Sequence, residues 1–188
     1  MRSILALTLA ALLVVMPASA LIQEAGIGII YGANHVFSLT APKGWMLDNE
    51  SAVDQGLHAV FYPKGKDWQD SPVVAYARAT TLSEKVKSVE DQVKITVAGF
   101  HRDGSPNYKA EKVKTITTDA GKEAVIYHFT GDEWGNSEAV AYFLEAKTIN
   151  FIVMNSRKVA DFEKALPAFE ALAKSYKFMG DKPLEKKE

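Results

Sequence analysis

The 188-residue chain contains no cysteine. That one absence removes disulfides, thiolate metal sites, thiol nucleophiles and redox exchange together. The fold must then rest on its core alone, which a chain of this length can build by burying about 70% of its extended surface. Charge of one sign is lacking as well: 22 Lys and Arg face 23 Asp and Glu, a net charge of −1. Without a basic excess nothing draws the chain to nucleic acid in general, and no nucleic-acid partner is expected. No apolar run is long enough to cross a bilayer: Ile4 to Val15 has twelve residues where about twenty are needed. The nucleophile patterns G-x-S-x-G and S-x-x-K are absent. Gly26, Gly28 and Gly32 do not make a dinucleotide loop, since the third glycine comes one residue late and no strand precedes them.

What is present begins with an address. Met1-Arg2 supplies a short positive start, Ile4 to Val15 an apolar stretch, Pro17 a helix break, and Ala18-Ser19-Ala20 the small-x-small pattern of a leader cleavage site. A signal peptide over 1–20, cut after Ala20, is expected. The mature protein would then be periplasmic or secreted, with no membrane span left after cleavage. No cysteine follows the apolar stretch, so a lipid anchor is excluded.

Residues 21–35 read as a Gly-rich lead-in with weak structural signals. Val36–Thr40 alternates and predicts a strand ended by Pro42-Lys43-Gly44. Trp45 to Gln55 is polar and reads as a loop or short edge segment. Leu57–Pro63 and Val73–Thr81 follow as strands, the second dense in β-branched and aromatic residues. Ser88 with Asp91 three residues on predicts a helix start, and Val89, Val93, Val97 and Phe100 supply one apolar stripe. Tyr108–Thr118, Glu123–Thr130, Glu138–Ala146 and Ile149–Asn155 are four further strands. Their separators are too short for parallel crossovers, so these strands must be antiparallel. Both faces of the last run are apolar, which predicts a central strand; charges on both faces of Tyr108–Thr118 suit an edge. Phe162, Leu166, Phe169, Leu172, Ala173 and Tyr176 recur at helical spacing, with Pro167 expected to interrupt that helix or open a second one. The reading is an α+β fold, an antiparallel β-sheet flanked by helices, with one domain over 36–179 and a charged tail over 180–188.

This order resembles the PsbP-like superfamily, an α/β/α sandwich shared by the photosystem II extrinsic protein, a Ran-binding import factor and small exported bacterial proteins. The resemblance is carried by Phe37-Ser-Leu-Thr-Ala-Pro-Lys-Gly-Trp45, by Leu57 to Pro63 with Ser71-Pro72 and the strand after it, by the mid-chain helix and its antiparallel strands, and by Phe169 to Phe178. It spans about Asn34 to Met179. It implies a noncatalytic module for binding or assembly; the basic patches and metal-binding residues of the photosystem members are not carried over to positions here, and no cofactor is expected.

All three tryptophans sit beside acids in turn-like segments: Trp45 near Asp48 and Glu50, Trp68 between Asp67 and Asp70, and Trp134 after Asp132-Glu133. Were these loops to converge, Trp45, Trp68, Trp134, Asp67, Asp70, Asp132 and Glu133 would form a surface for a ligand or partner. The plainer alternative is that each tryptophan covers a separate edge of the core. The four histidines, His35, His58, His101 and His128, follow no ligand spacing, and no metal site is expected. The leading expectation is an exported noncatalytic binding or accessory domain that holds a protein partner in the cell envelope. The alternative is a small exported hydrolase or carbohydrate-active enzyme, with Asp67, Asp132 and Glu133 as acid and base; it requires those carboxyls to share one concave pocket.

Overall fold

The computed structural model describes residues 26–182. The expected leader and residues 183–188 of the expected tail lie outside the described residues. In chain order the elements are β1 (Ile27–Gly32), β2 (His35–Thr40), β3 (Trp45–Asp48), β4 (Val60–Pro63), β5 (Val74–Thr81), α1 (Val89–Arg102), β6 (Lys109–Thr117), β7 (Glu123–Thr130), β8 (Ser137–Leu144), β9 (Thr148–Ser156), α2 (Val159–Lys174) and β10 (Lys177–Gly180). Seven strands form one sheet in the order β3-β4-β5-β9-β8-β7-β6, and three form a second in the order β1-β2-β10. Every pairing among them is antiparallel. β9 lies at the centre of the large sheet and β6 at its rim, as their residue patterns require.

Alternation along the strands sorts the large sheet into two faces. On one, Tyr127, Phe129, Val140, Tyr142 and Val153 receive Val89 and Val93 of α1. That helix starts where its sequence says: the Ser88 side chain accepts the Asp91 N–H, and the Asp91 carboxylate accepts the Ser88 N–H in return. On the other face, Ala75, Ala139, Ala141, Ile152 and Met154 are covered by Phe162, Phe169 and Leu172 of α2 and by Phe37 and Leu39 of β2. The covering layer on this side is thus a helix and a small sheet side by side. Tyr176 joins them, stacked 3.8 Å from Phe143 and also packed against Phe37.

Three expectations need correction, and a fourth resolves between its two alternatives. The Gly-rich segment contains a regular strand, β1, and its glycines give clearance: a Cβ on Gly26, just before the strand, would sit 3.1 Å from Leu47, and one on Gly28 within it 3.2 Å away. The Trp45–Gln55 segment, read as a loop or short edge segment, takes the second form at its start: β3 is an edge strand, followed by one turn of 3-10 helix at Val53–Gln55. Pro167 does not divide α2; it lies on the exposed side, and the buried stripe of Phe162, Ala165, Phe169, Leu172 and Ala173 holds the helix on course around it. Past Tyr176 the chain adds β10 to the small sheet, a pairing that four residues cannot advertise locally.

Candidate functional site

Strand register collects most of the candidate loops at one end of the large sheet. Trp45 pairs with Pro63, Val74 with Asn155, Ser137 with Ser156, and Thr130 with both Ser137 and Lys109. The loops leaving that end are 64–73, 131–136 and the Arg157-Lys158 turn into α2. Between them lies a cleft of about 560 Å³, walled by Trp68, Asp70 and Ser71 on one side and by Asn136, Arg157 and Lys158 on another, with Val74 and Asn155 also lining it.

Local bonding fixes these loops. Asp67 accepts the backbone N–H groups of Gln69 and Asp70 at 2.9 and 2.8 Å, folding the segment so that Trp68 turns inward, edge-on to Tyr76 at 6.5 Å. Asp132 accepts the Asn136 backbone N–H at 2.7 Å and its side-chain Nδ2 at 2.6 Å, which presents Asn136 to the cleft. The 131–136 turn is pressed against the chain: Gly131 has φ +91°, and a Cβ there would overlap the Asn107 carbonyl oxygen. On the far rim, the Ser156 hydroxyl donates to the Pro72 carbonyl at 2.7 Å and ties β9 to the 64–73 loop. Arg157 and Lys158 are exposed and form no ion pair among the described residues.

The seven candidates therefore divide. Trp68 and Asp70 line the cleft, and Asp67 and Asp132 build its walls from behind. Trp134, 55% exposed, leaves toward α1 and meets Phe100 edge-on at 6.4 Å; Glu133 beside it is exposed, with its backbone N–H on Ser105 Oγ. Trp45 packs against the α2 side of the sheet, in a separate depression of about 280 Å³ with Lys66, Asp161 and Lys164. The three tryptophans share a sheet end but not one surface. Asp67, Asp132 and Glu133 do not face a common pocket either: two hold turns and the third projects outward.

The histidines are dispersed. His58 is exposed before β4, while His128 lies on β7 edge-on to Phe162 at 5.3 Å, where burial lowers its pKa. His101 Nε2 is 2.7 Å from the Tyr108 carbonyl. Among the described residues no three His, Asp or Glu side chains come together as a metal set.

Sequence reasoning passed over Glu138, the buried acid of this region. It lies on β8 opposite Asn155, on the α1 face, 8% exposed, and accepts the Tyr108 hydroxyl at 2.6 Å. Burial drives its pKa up; the Tyr108 hydrogen bond opposes that, and the Asp132 carboxylate adds to it. Glu138 in turn helps to raise the pKa values of Tyr108 and Tyr142, and that of Tyr76 to about 12, each shifted first by its own burial. A lone acid inside the run Ser-Glu-Ala-Val-Ala-Tyr-Phe-Leu was the available signal, since a charge on a buried strand needs a partner.

These features define an α/β/α sandwich whose loops close a polar cleft at one sheet end. No sequence-family model matches the chain, and no curated protein matches it in sequence. Solved structures do match in shape. Cyanobacterial PsbP from Synechocystis superposes with a TM-score of 0.53 at 12% identity, covering 88% of this chain and 99% of that one. LpqN of Mycobacterium tuberculosis, described as involved in cell envelope biogenesis, gives 0.52 at 10% identity over 83% of this chain and 92% of its own. The Ran-binding protein Mog1p of Saccharomyces cerevisiae gives 0.49 at 11% identity, covering 82% and 95%. The chain has the PsbP-like fold.

Proposed function

We infer that this protein is an exported, noncatalytic binding domain that holds a protein partner in the cell envelope. Residues 36–179, with β1 added, form its single domain, and the Trp68 cleft is the contact. The observation that carries this is the composition of the cleft: a half-buried aromatic plane, two cations that pair with no acid among the described residues, and three amides, Gln69, Asn136 and Asn155. Tryptophan and arginine, which face each other across this cleft, are among the residue types that most often dominate a protein interface. Each amide offers both a donor and an acceptor to a partner's backbone. The leader over 1–20 supports a periplasmic or secreted location, and a neighbour of this fold described in envelope biogenesis is in keeping with it. The hydrolase alternative is weaker because Asp67 and Asp132 spend their oxygens on turns of their own loops.

The test is co-purification from an envelope extract of the source organism, with the tagged exported chain as bait. A stoichiometric partner that is retained by Trp134→Ala and lost by Trp68→Ala and Arg157→Glu supports the reading, once circular dichroism shows each variant folded. Absence of a stoichiometric partner, or a partner indifferent to both cleft variants, overturns it.

A further inference from the structure

Among the described residues the two sheets present four open edges, and they are not alike. β6 is long but carries Lys109, Glu111, Lys112 and Lys114, with a register break between Lys112 and Lys114. β3 and β10 have four residues each, the first ending in Asp48 and the second starting with Lys177 and breaking register after Phe178. Short length, charge and irregularity are the devices by which an edge strand resists pairing with another chain. β1 has none of them. Its six residues, Ile-Gly-Ile-Ile-Tyr-Gly, are uncharged, free of proline, and paired to β2 in unbroken register.

The direction of its free backbone groups follows from one bond. Ala41 N–H donates to the Gly26 carbonyl at 2.9 Å, so even-numbered positions turn their backbone groups toward β2. Ile27, Ile29 and Tyr31 therefore turn theirs toward the open edge. Their side chains share the outer face of the small sheet and are 63%, 56% and 68% exposed. Beside the edge a groove of about 350 Å³, bounded by Ile29, Ile30, Tyr31, Asn49 and His58, leaves room for an added strand.

We propose that β1 pairs edge to edge with β1 of a second copy of this chain, antiparallel about a twofold axis at Ile29, joining the two small sheets into one of six strands. The register selects this occupant. A twofold at Ile29 sets Ile29 opposite Ile29 and Ile27 opposite Tyr31, so each outward N–H meets an outward carbonyl and the pairs are aliphatic or aromatic with aliphatic. Charge agrees: β1 opposes no like charges when paired with itself, whereas β6 would set several lysines near one another. A slip by one residue would bring the backbone groups committed to β2 to the seam, which leaves the outward ones unpaired.

The experiment uses the exported chain, its N-terminus read by mass spectrometry, in sedimentation across a wide concentration range. The expected result is a monomer–dimer equilibrium whose dissociation constant rises by about tenfold or more in Ile29→Lys, which places two cations opposite each other. Because the chain lacks cysteine, a single introduced thiol reports the register. Ile29→Cys should be joined to itself by a short bifunctional thiol reagent, since directly paired Cα atoms lie about 5.5 Å apart; Ile27→Cys, facing Tyr31 of the other copy, should not. At concentrations well below the dimer's dissociation constant, the thermal midpoint of Ile29→Lys should match the wild type, because that side chain is exposed in the single chain. A wild type that stays monomeric throughout overturns the proposal, as does an Ile29→Lys dimer of unchanged affinity or equal cross-linking at both positions. A monomer that captures only an extended segment of some other protein overturns it too.

Discussion

The Tyr108 hydroxyl and the Glu138 carboxylate, thirty positions apart in the chain, meet at 2.6 Å beneath α1. Tyr108 is itself stacked between Phe100 at 3.9 Å and Phe129 at 5.5 Å, so the donor has little freedom to leave. The bond joins the segment just after the helix to the strand that leaves the cleft's 131–136 turn. Removing the hydroxyl in Tyr108→Phe leaves a buried carboxyl short of its donor and should lower the unfolding free energy by about 1–3 kcal/mol, read from urea unfolding.

The same pair should leave a trace in the pH dependence of stability. The folded state raises the Glu138 pKa above its ordinary value of 4.5, so between the two values the native protein holds a proton that the unfolded chain has released. Its favourable contribution is whole below 4.5 and fades as pH rises through the folded value. Glu138→Gln should flatten that decline in the urea midpoint. Tyr108→Phe should extend it to higher pH, because the hydroxyl favours the ionised form. Coincident profiles for all three proteins would refute the account.

Asp48 titrates in the opposite sense. Partial burial pulls its pKa upward, but bonds from the Ser51 hydroxyl and N–H, the Glu50 N–H and the Tyr62 hydroxyl outweigh that and hold it at about 2. A depressed carboxyl stabilises the fold above its unfolded pKa, here 3.8, and loses that contribution as pH falls toward 2. Asp48→Asn should lower the urea midpoint at neutral pH and show a shallower fall between pH 4 and 2 than the wild type. An unchanged acid limb would dispose of the idea.

On the α2 face of β9, the Thr148 hydroxyl and the Asn150 Oδ1 are buried without a hydrogen-bond partner among the described residues, although Asn150 Nδ2 still donates to the Tyr176 hydroxyl at 2.8 Å. An unpaired buried hydroxyl carries a desolvation cost and gives nothing back. Thr148→Val, nearly the same shape, should therefore raise stability by roughly 1 kcal/mol, measured as a higher thermal midpoint. A lower midpoint would show that the hydroxyl is satisfied in solution.

How much of this could be read along the chain is clearest element by element. The start of α1 was legible to the residue, because Ser88, Asp91 and a four-residue apolar stripe are local signals that local hydrogen bonds then obey. β7 was read with both its ends for a similar reason: alternation continues up to turns marked by glycine. β1 was missed, since its glycines announce flexibility in isolation, and only the approach of Leu47 to Gly28 and of His35 to Gly32 gives them a purpose. Pro167 misled in the same manner, a local veto overruled by a buried stripe. Trp68 and Asp70, singled out from the sequence, line one cleft, but Asn136, Asn155, Arg157 and Lys158 reach it from segments more than sixty positions away.

Sequence alone determined the chemistry that is closed to this protein and the kinds of elements it forms. Residue identity decides what can ionise, bond or cross-link, and short-range periodicity decides whether a segment coils or extends. Only the tertiary structure decided which loops share a cleft, that Glu138 lies buried against Tyr108, and that a second small sheet completes the layer beside α2. Those outcomes depend on strand register and face-to-face packing, in which residues far apart along the chain compete for the same space.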